Sequence, residues 1–269
     1  MRGYNRNASG NTNRYNHQGD CEAGILGLHS LHNNKNRAHT TAPMNRLVFD
    51  IETLAFPLEQ FDEIQQEYLL RFAQDDEQRT ETLQKLNLYP LTAQIIAIGL
   101  LNPDTNHGKI LYQADTEGHY VSDDGQIDYI SGTENDLLSH FWDVVTKYDQ
   151  FITFNGRAFD CPFIMLRSAI RGVKPTRNLI PYRYDTRIHC DLLDQLSYYG
   201  ATKKFNLDFY CKQFGIESPK SHGITGLDME TLFTGGRYKE IAEYCLGDIR
   251  ATALLFQKWN SFLNLDNHS

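Results

Sequence analysis

Four carboxylates, far apart in sequence, carry the chemistry this chain offers. Asp50 and Glu52 lie in Leu47-Val48-Phe49-Asp50-Ile51-Glu52-Thr53, Asp160 in Asn155-Gly156-Arg157-Ala158-Phe159-Asp160, and Asp248 in Tyr244-Cys245-Leu246-Gly247-Asp248. Each has a local setting that would aim it inward. Gathered in one cleft, four like charges repel and cannot all stay ionised. Divalent cations resolve that conflict, and hard cations take oxygen ligands. Two of them, about 3.5–4 Å apart, would activate a water, stabilise a pentacoordinate phosphorus and neutralise a leaving oxygen. The chemistry is phosphodiester hydrolysis. Tyr244 stands four residues before Asp248, on the same face of a helix. A phenol with a free pKa of about 10 suits orienting that water better than acting as a strong base.

The elements that must position these groups are legible in outline. Leu47–Asp50 reads as a buried strand, and its alternation sends positions 50 and 52 to one face. Residues 95–101 and 109–113 read as two further strands, 151–154 as a fourth and 186–190 as a fifth. Residues 134–148 have the spacing of an amphipathic helix. Pro162, in a first helical turn where its missing N–H costs nothing, opens a helix from Asp160 through Ile170. Asn206 reads as an N-cap for 207–214, with Gly215 as the stop. Residues 238–262 read as a long closing helix with Ile241, Cys245, Leu255, Trp259 and Phe262 as its apolar stripe. Strands that first follow one another and then alternate with helices predict an α/β chain with a mixed five-stranded sheet flanked by helices. Residues 57–90, polar but with Phe61, Ile64, Tyr68, Leu69 and Phe72 at helical spacing, predict a helical insert after the first strand.

At 269 residues the chain can bury one good core. The expected organisation is a tail at 1–43 followed by one domain over 44–265. The tail is rich in Asn, Gly, Ser and His and shows no periodicity, which predicts disorder, and Met44 offers a second start directly ahead of the first strand. No apolar run reaches the ~20 residues of a membrane span. Five scattered cysteines, none in a Cys-x-x-Cys pair, fit reduced thiols in a cytoplasmic protein and exclude a zinc ribbon. A net charge of -8 speaks against a nucleic-acid binder until its distribution is read. Four of the negatives are the proposed ligands, whose cations would invert the sign of the site. Acids dominate 59–81, whereas 157–187 carries Arg157, Arg167, Arg171, Lys174, Arg177, Arg183 and Arg187 against Asp160 and Asp185. That basic stretch is either a track for a phosphate backbone or an ordinary solvated run.

The three motifs, in this order, resemble those of the DEDD (DnaQ-like) 3′–5′ exonucleases of ribonuclease H-like fold. Phe49-Asp50-Ile51-Glu52 looks like the first, Asn155-x-x-x-Phe159-Asp160 the second, and Tyr244-Cys245-x-x-Asp248 the third. The last two are especially similar to the proofreading exonuclease domain of family B DNA polymerases. The resemblance covers roughly 45–262 and identifies the tyrosine subclass, because the position where the histidine subclass places its His is Glu243. It implies two divalent cations, Mg²⁺ or Mn²⁺. Asp50 would bridge both, Glu52 and Asp248 would complete the tighter site, and Asp160 would hold the second largely through water. It also implies that Asn155 and Phe159 contact the terminal nucleotides, and that Thr53 and Leu54 border the 3′-terminal one.

The expected activity is removal of nucleoside 5′-monophosphates from the 3′ end of single-stranded DNA, by a freestanding exonuclease without a polymerase palm. Two readings compete with it: the same chemistry on RNA, and a non-catalytic nucleic-acid or protein-binding module using the acidic insert as a partner surface. His189 and Asp191 read as structural or as supports of the site. Lys203, Lys204, Lys220 and His222 read as surface residues or phosphate contacts.

Overall fold

Strand β1 (Arg46–Ala55) runs through the middle of the molecule because both of its faces find apolar cover. Leu47, Phe49 and Ile51 pack into one buried cluster, and Val48 belongs to the other. The computed structural model describes residues 44–217 and 226–265, so the expected tail at 1–43, Lys220 and His222 lie outside the described residues. β1 is followed by two helices, α1 (Glu63–Leu70) and α2 (Asp76–Lys85), which form the expected helical insert. α1 opens on a reciprocal Asp62–Gln65 capping box, and Asp75 caps α2. The apolar residues at helical spacing in this insert stay largely in solvent. Ile64, Tyr68 and Phe72 are exposed, with the Arg71 guanidinium lying 4.0 Å from the Tyr68 ring centre and 4.6 Å from that of Phe72.

Among the described residues the sheet has seven strands, ordered β4-β5-β3-β2-β1-β6-β7. They are β2 (Ala93–Leu101), β3 (Gly108–Gln113), β4 (Gly118–Val121), β5 (Ile127–Gly132), β6 (Gln150–Thr153) and β7 (His189–Asp191). β1–β2 and β2–β3 are antiparallel; β6 and β7 add in parallel on the other side. This β3-β2-β1-β6-β7 core is the five-stranded sheet expected from the sequence. The count is corrected to seven by a β4–β5 hairpin, whose β5 pairs in parallel with β3. Its strands are short and mix polar with apolar residues, so no apolar run marks them; stacking of Tyr120 on Tyr129, with centroids 4.4 Å apart, helps fasten the hairpin. The fifth core strand also starts later than expected, at His189 rather than Thr186, because the chain is still turning there with Ile188 and His189 N–H groups donating to the Asp185 carbonyl.

Helices cover both faces. α3 (Glu134–Val145), three residues shorter than expected, and α4 (Asp160–Arg171) pack on one side through Leu137, Phe141, Trp142, Phe163 and Ile164. Short helices α5 (Leu192–Leu196), α6 (Leu207–Gln213) and α7 (Met229–Thr234) lead to α8 (Tyr238–Phe262) on the other. α8 buries Ile241, Cys245, Ile249, Leu255 and Phe256, and each such side chain contributes about 1.5–3 kcal/mol. α8 can approach the sheet closely because Gly99, the β2 partner of Asp50, has no side chain. A Cβ there would stand 2.8 Å from Ile249 Cγ2 and 2.9 Å from Cys245 Sγ.

Candidate active site

Asp50 and Glu52 leave β1 on the face that α8 covers, as the strand alternation requires. Just beyond Glu52 the register with β2 shifts by one residue, a bulge that ends the regular pairing beside these acids. Asp160 reaches the same place from the first turn of α4. It is buried, and its Oδ1 accepts a 3.0 Å hydrogen bond from the Ile51 N–H, which ties the start of α4 to the strand between the two acids. Asp248 comes from α8.

The electrostatics register how close these groups are. Burial, and then the charges of Asp160, Asp248 and Glu52, hold the Asp50 carboxyl well above its usual range. Glu52 is raised by burial and then by Asp248 and Asp160. Asp160 is pushed up to about 7, chiefly by burial, against the opposing pull of its backbone hydrogen bonds. Among the described residues, no arginine or lysine pairs with Asp50, Glu52 or Asp160. Uncompensated buried acids of this kind either take up protons or bind cations. The donor set suits a hard divalent ion. One ligand atom each of Asp50, Glu52 and Cys245 lie within 4.8 Å of one another. Burial, foremost, lifts the Cys245 thiol far above its usual pKa, so the sulfur is a neutral and soft neighbour. The oxygens of Asp50 and Glu52, with Asp248 and Asp160 beside them, are the better ligands.

Tyr244 stands one helical turn before Asp248 and is hydrogen-bonded to it. Burial, and then the Asp248, Glu52 and Asp50 charges, raise the phenol strongly, so it stays protonated. Glu243 turns away to β5, where its Oε1 accepts a 2.7 Å bond from the Tyr129 hydroxyl.

The segment carrying Asn155 and Phe159 is a tight turn between β6 and α4. Asn155 holds φ +65°, a left-handed conformation that asparagine tolerates better than most residues. Gly156 sits on Thr153: a Cβ there would come within 2.5 Å of the threonine side chain. Asp191, at the end of β7, fixes the turn. Its carboxylate accepts from the N–H groups of Asn155 (3.0 Å) and Arg157 (2.9 Å), and caps α5 through Leu193 and Asp194. Asp191 therefore positions the site by holding the loop that ends in Asp160. His-Cys-Asp at the end of a short strand was the only sequence signal for it. His189 is structural. Its Nδ1 donates to the Leu179 carbonyl and its Nε2 accepts from Thr153 Oγ1, both at 2.9 Å, and burial holds its pKa down to about 4.

The remaining expected contacts are less uniform. Phe159 is half-buried with its ring 5.5 Å from Phe163. Asn155 lines a cavity of about 330 Å³ together with Arg157, Arg183, Asp194 and Lys204. Thr53 is buried and its hydroxyl donates to the Asn87 carbonyl at 2.8 Å, so the side chain is engaged inside the protein. Leu54 faces a small cavity shared with Leu83, Asn87 and Met229. Lys203 lies over the Phe205 ring at 5.0 Å.

Comparison with known proteins supplies the family and the fold. Over 137 residues the chain is 26% identical to DNA polymerase 1 of Saccharolobus solfataricus, a match covering 46% of this chain and 15% of the relative. It is 27% identical over 171 residues to DNA polymerase 1 of Sulfurisphaera ohwakuensis, covering 60% of this chain and 19% of that protein. The chain thus spans a fifth or less of the curated relatives it matches. The family B DNA polymerase from the hyperthermophilic archaeon Pyrobaculum calidifontis superposes with a TM-score of 0.51 over 82% of this chain and 25% of its own, at 19% identity, a likeness of ribonuclease H-like fold. A family model described as predicted 3′–5′ exonuclease related to the exonuclease domain of PolB matches residues 94–267, more than half of the chain and inclusive of the second and third motifs. The chain belongs to this family of exonucleases related to the PolB exonuclease domain.

Proposed function

We propose that the chain is a two-metal 3′–5′ exonuclease that shortens single-stranded DNA from its 3′ end and releases nucleoside 5′-monophosphates. The observation that carries this reading is the convergence of acids from β1, α4 and α8 with, among the described residues, no basic side chain paired to Asp50, Glu52 or Asp160. Asp50, Glu52, Asp160 and Asp248 would hold two divalent cations, Mg²⁺ or Mn²⁺. When bound, such ions lower the pKa of water and stabilise charge on the scissile phosphate and its leaving oxygen. The chain's own groups supply position. Tyr244, kept neutral and anchored by Asp248, orients the attacking water through its hydroxyl. Asn155 and Phe159, set on the turn that Asp191 fixes, present an amide and an aromatic face to the terminal nucleotides. The backbone at Thr53 and Leu54 borders the 3′-terminal sugar.

The test uses 5′-labelled single strands with Mg²⁺ or Mn²⁺. A ladder shortened from the 3′ end, silenced by chelator and restored by added cation, is the expected result. Activity undiminished in Asp50→Ala, or products trimmed only from the 5′ end, would reject the reading. Matched DNA and RNA strands decide the substrate, since that choice rests on contacts to the 2′-hydroxyl.

A further inference from the structure

The basic stretch from Arg157 to Arg187 separates into residues with different work. Arg167 and Arg171 meet Glu134, Arg177 donates to the Tyr148 carbonyl, and Arg187 closes on Asp185 two residues away. Lys174 stands exposed. Arg157 and Arg183 instead line the cavity of about 330 Å³ that begins at Asn155, and Lys204 joins them from the loop before α6. Arg183 forks onto Asp194 at 2.5 and 3.0 Å, and the Lys204 Nζ is 3.8 Å from the same carboxylate. Two half-exposed cations therefore share one nearly buried acid. Asp191 lines the same cavity; its oxygens accept from backbone N–H groups, and its charge adds to that of Asp194 on Arg183. Arg157 donates to the carbonyls of Pro181 and Tyr182 while its buried Nε has no hydrogen-bond partner among the described residues.

Aromatic rings interleave with these cations. Tyr182 and Tyr184 flank Arg183, their centroids 5.5 Å apart; Tyr184 meets Tyr199 at 4.6 Å, and the Arg183 guanidinium lies 5.7 Å from the Tyr199 ring centre. Tyr182, Tyr184 and Tyr198 are 74%, 57% and 62% exposed. Tyr198 and Tyr199 both hold left-handed backbone, φ +49° and +58°, which residues with a Cβ seldom adopt. Hydrogen bonds enforce it: the Tyr199 N–H donates to the Asp194 carbonyl at 2.6 Å, and Gln195 Nε2 to the Tyr199 hydroxyl at 2.8 Å. The backbone is thus held in a form that keeps Tyr198 in solvent and Tyr199 against Arg183.

We infer that Tyr182, Tyr184 and Tyr199, with Arg183 and Lys204, form a stacking platform for single-stranded nucleic acid, continuous with the cleavage site through Asn155. The inference rests on the exonuclease reading and adds the path of the strand behind its 3′ end. Unpaired bases stack on exposed aromatic faces whatever their sequence, and cations interleaved with the rings meet the phosphates. A phosphate arriving beside Arg183 and Lys204 meets two cations that share the Asp194 carboxylate. A duplex keeps its bases within its own stack and gains nothing from the rings.

The test is fluorescence anisotropy of the full chain with a labelled single strand about 12 nucleotides long, in the range of site sizes for such grooves. Chelator is present throughout, so nothing is cleaved. Tyr184→Ala should weaken binding by about 5- to 150-fold, the worth of one stacked base. Tyr184→Phe should bind as the wild type does, and Tyr184→Trp should lose indole emission when unlabelled strand is added. Tyr68→Ala, an exposed tyrosine on α1, serves as the control and should bind normally. A wild-type chain that does not bind, a Tyr184→Ala chain that binds equally well, or a Trp signal indifferent to the strand each overturns the platform. A chain that binds through Tyr184 but never cleaves keeps the platform and loses the exonuclease reading. Cleavage with Tyr184-independent affinity does the reverse.

Discussion

At the scale of single residues, the site stores repulsion that only a bound cation or a proton relieves. Removing one acid should therefore separate stability from activity. Asp50→Asn is expected to abolish cleavage and yet raise the Tm of the cation-free protein, by roughly 2–4 °C for each kcal/mol of repulsion relieved in a domain of this size. An unchanged or lower Tm by calorimetry in chelator would count against the clustering. Asp160 gives the pH dependence its sign. Its pKa rises from 3.8 to about 7 on folding. Its contribution to stability is then fully present below about pH 4 and is lost as pH rises through about 7. In chelator the Tm should fall as pH rises from about 4 to about 7, and saturating Mg²⁺ should flatten the slope. Tyr244→Phe keeps the ring and loses the hydroxyl. A loss of about 10²-fold in kcat with little change in KM is the expected result in single-turnover and steady-state assays. A wild-type rate in that variant would remove Tyr244 from the mechanism.

At the scale of elements, the acids are only as well placed as the backbone beneath them. α8 carries Tyr244 and Asp248, and it lies close to β2 because position 99 is glycine. Gly99→Ala places a methyl among Ile249 and Cys245 atoms that have little room to yield. Overpacking of that kind costs about 1–3 kcal/mol. The variant should unfold at lower urea and lose kcat as α8 moves off the strand; normal stability would show that helix and sheet can separate freely. The β6–α4 turn depends in the same way on Asp191. Four backbone N–H groups lose their shared acceptor in Asp191→Ala. The expected cost is about 1–3 kcal/mol for the unsatisfied donors, together with reduced activity, although Asp191 touches no substrate in the proposed mechanism.

At the scale of the whole molecule, one buried ion pair links the layers. Glu134 at the start of α3 accepts from Arg167 of α4 at 2.7 and 2.8 Å and from the Ile95 N–H of β2 at 2.9 Å. Arg167→Met leaves the buried carboxylate with only the exposed Arg171, 3.7 Å away, for a cation; breaking a buried pair typically costs about 3–5 kcal/mol. Chemical denaturation should show that loss, and adding Glu134→Leu should recover it only in part, because the Ile95 N–H still lacks an acceptor. No motif announced this pair: Arg167 read as one more cation in a basic run, and only the packing of α4 on α3 makes it internal. The sequence by itself determined the core strands and the long closing helix, and it singled out the four acids of the proposed site. Those signals are local, being apolar alternation, capping residues and acids at the ends of buried runs. Tertiary structure decided the rest. The β4–β5 hairpin is held by pairing to β3 across the sheet rather than by an apolar run of its own. The insert's apolar residues have helical spacing, yet Ile64, Tyr68 and Phe72 stay exposed among the described residues. Which of the arginines face the cavity beside Asn155, and which are consumed inside, follows from where α3, α4 and α5 come to rest. Spacing along a chain fixes which way a side chain leaves its own element; what it meets there depends on elements a hundred residues away.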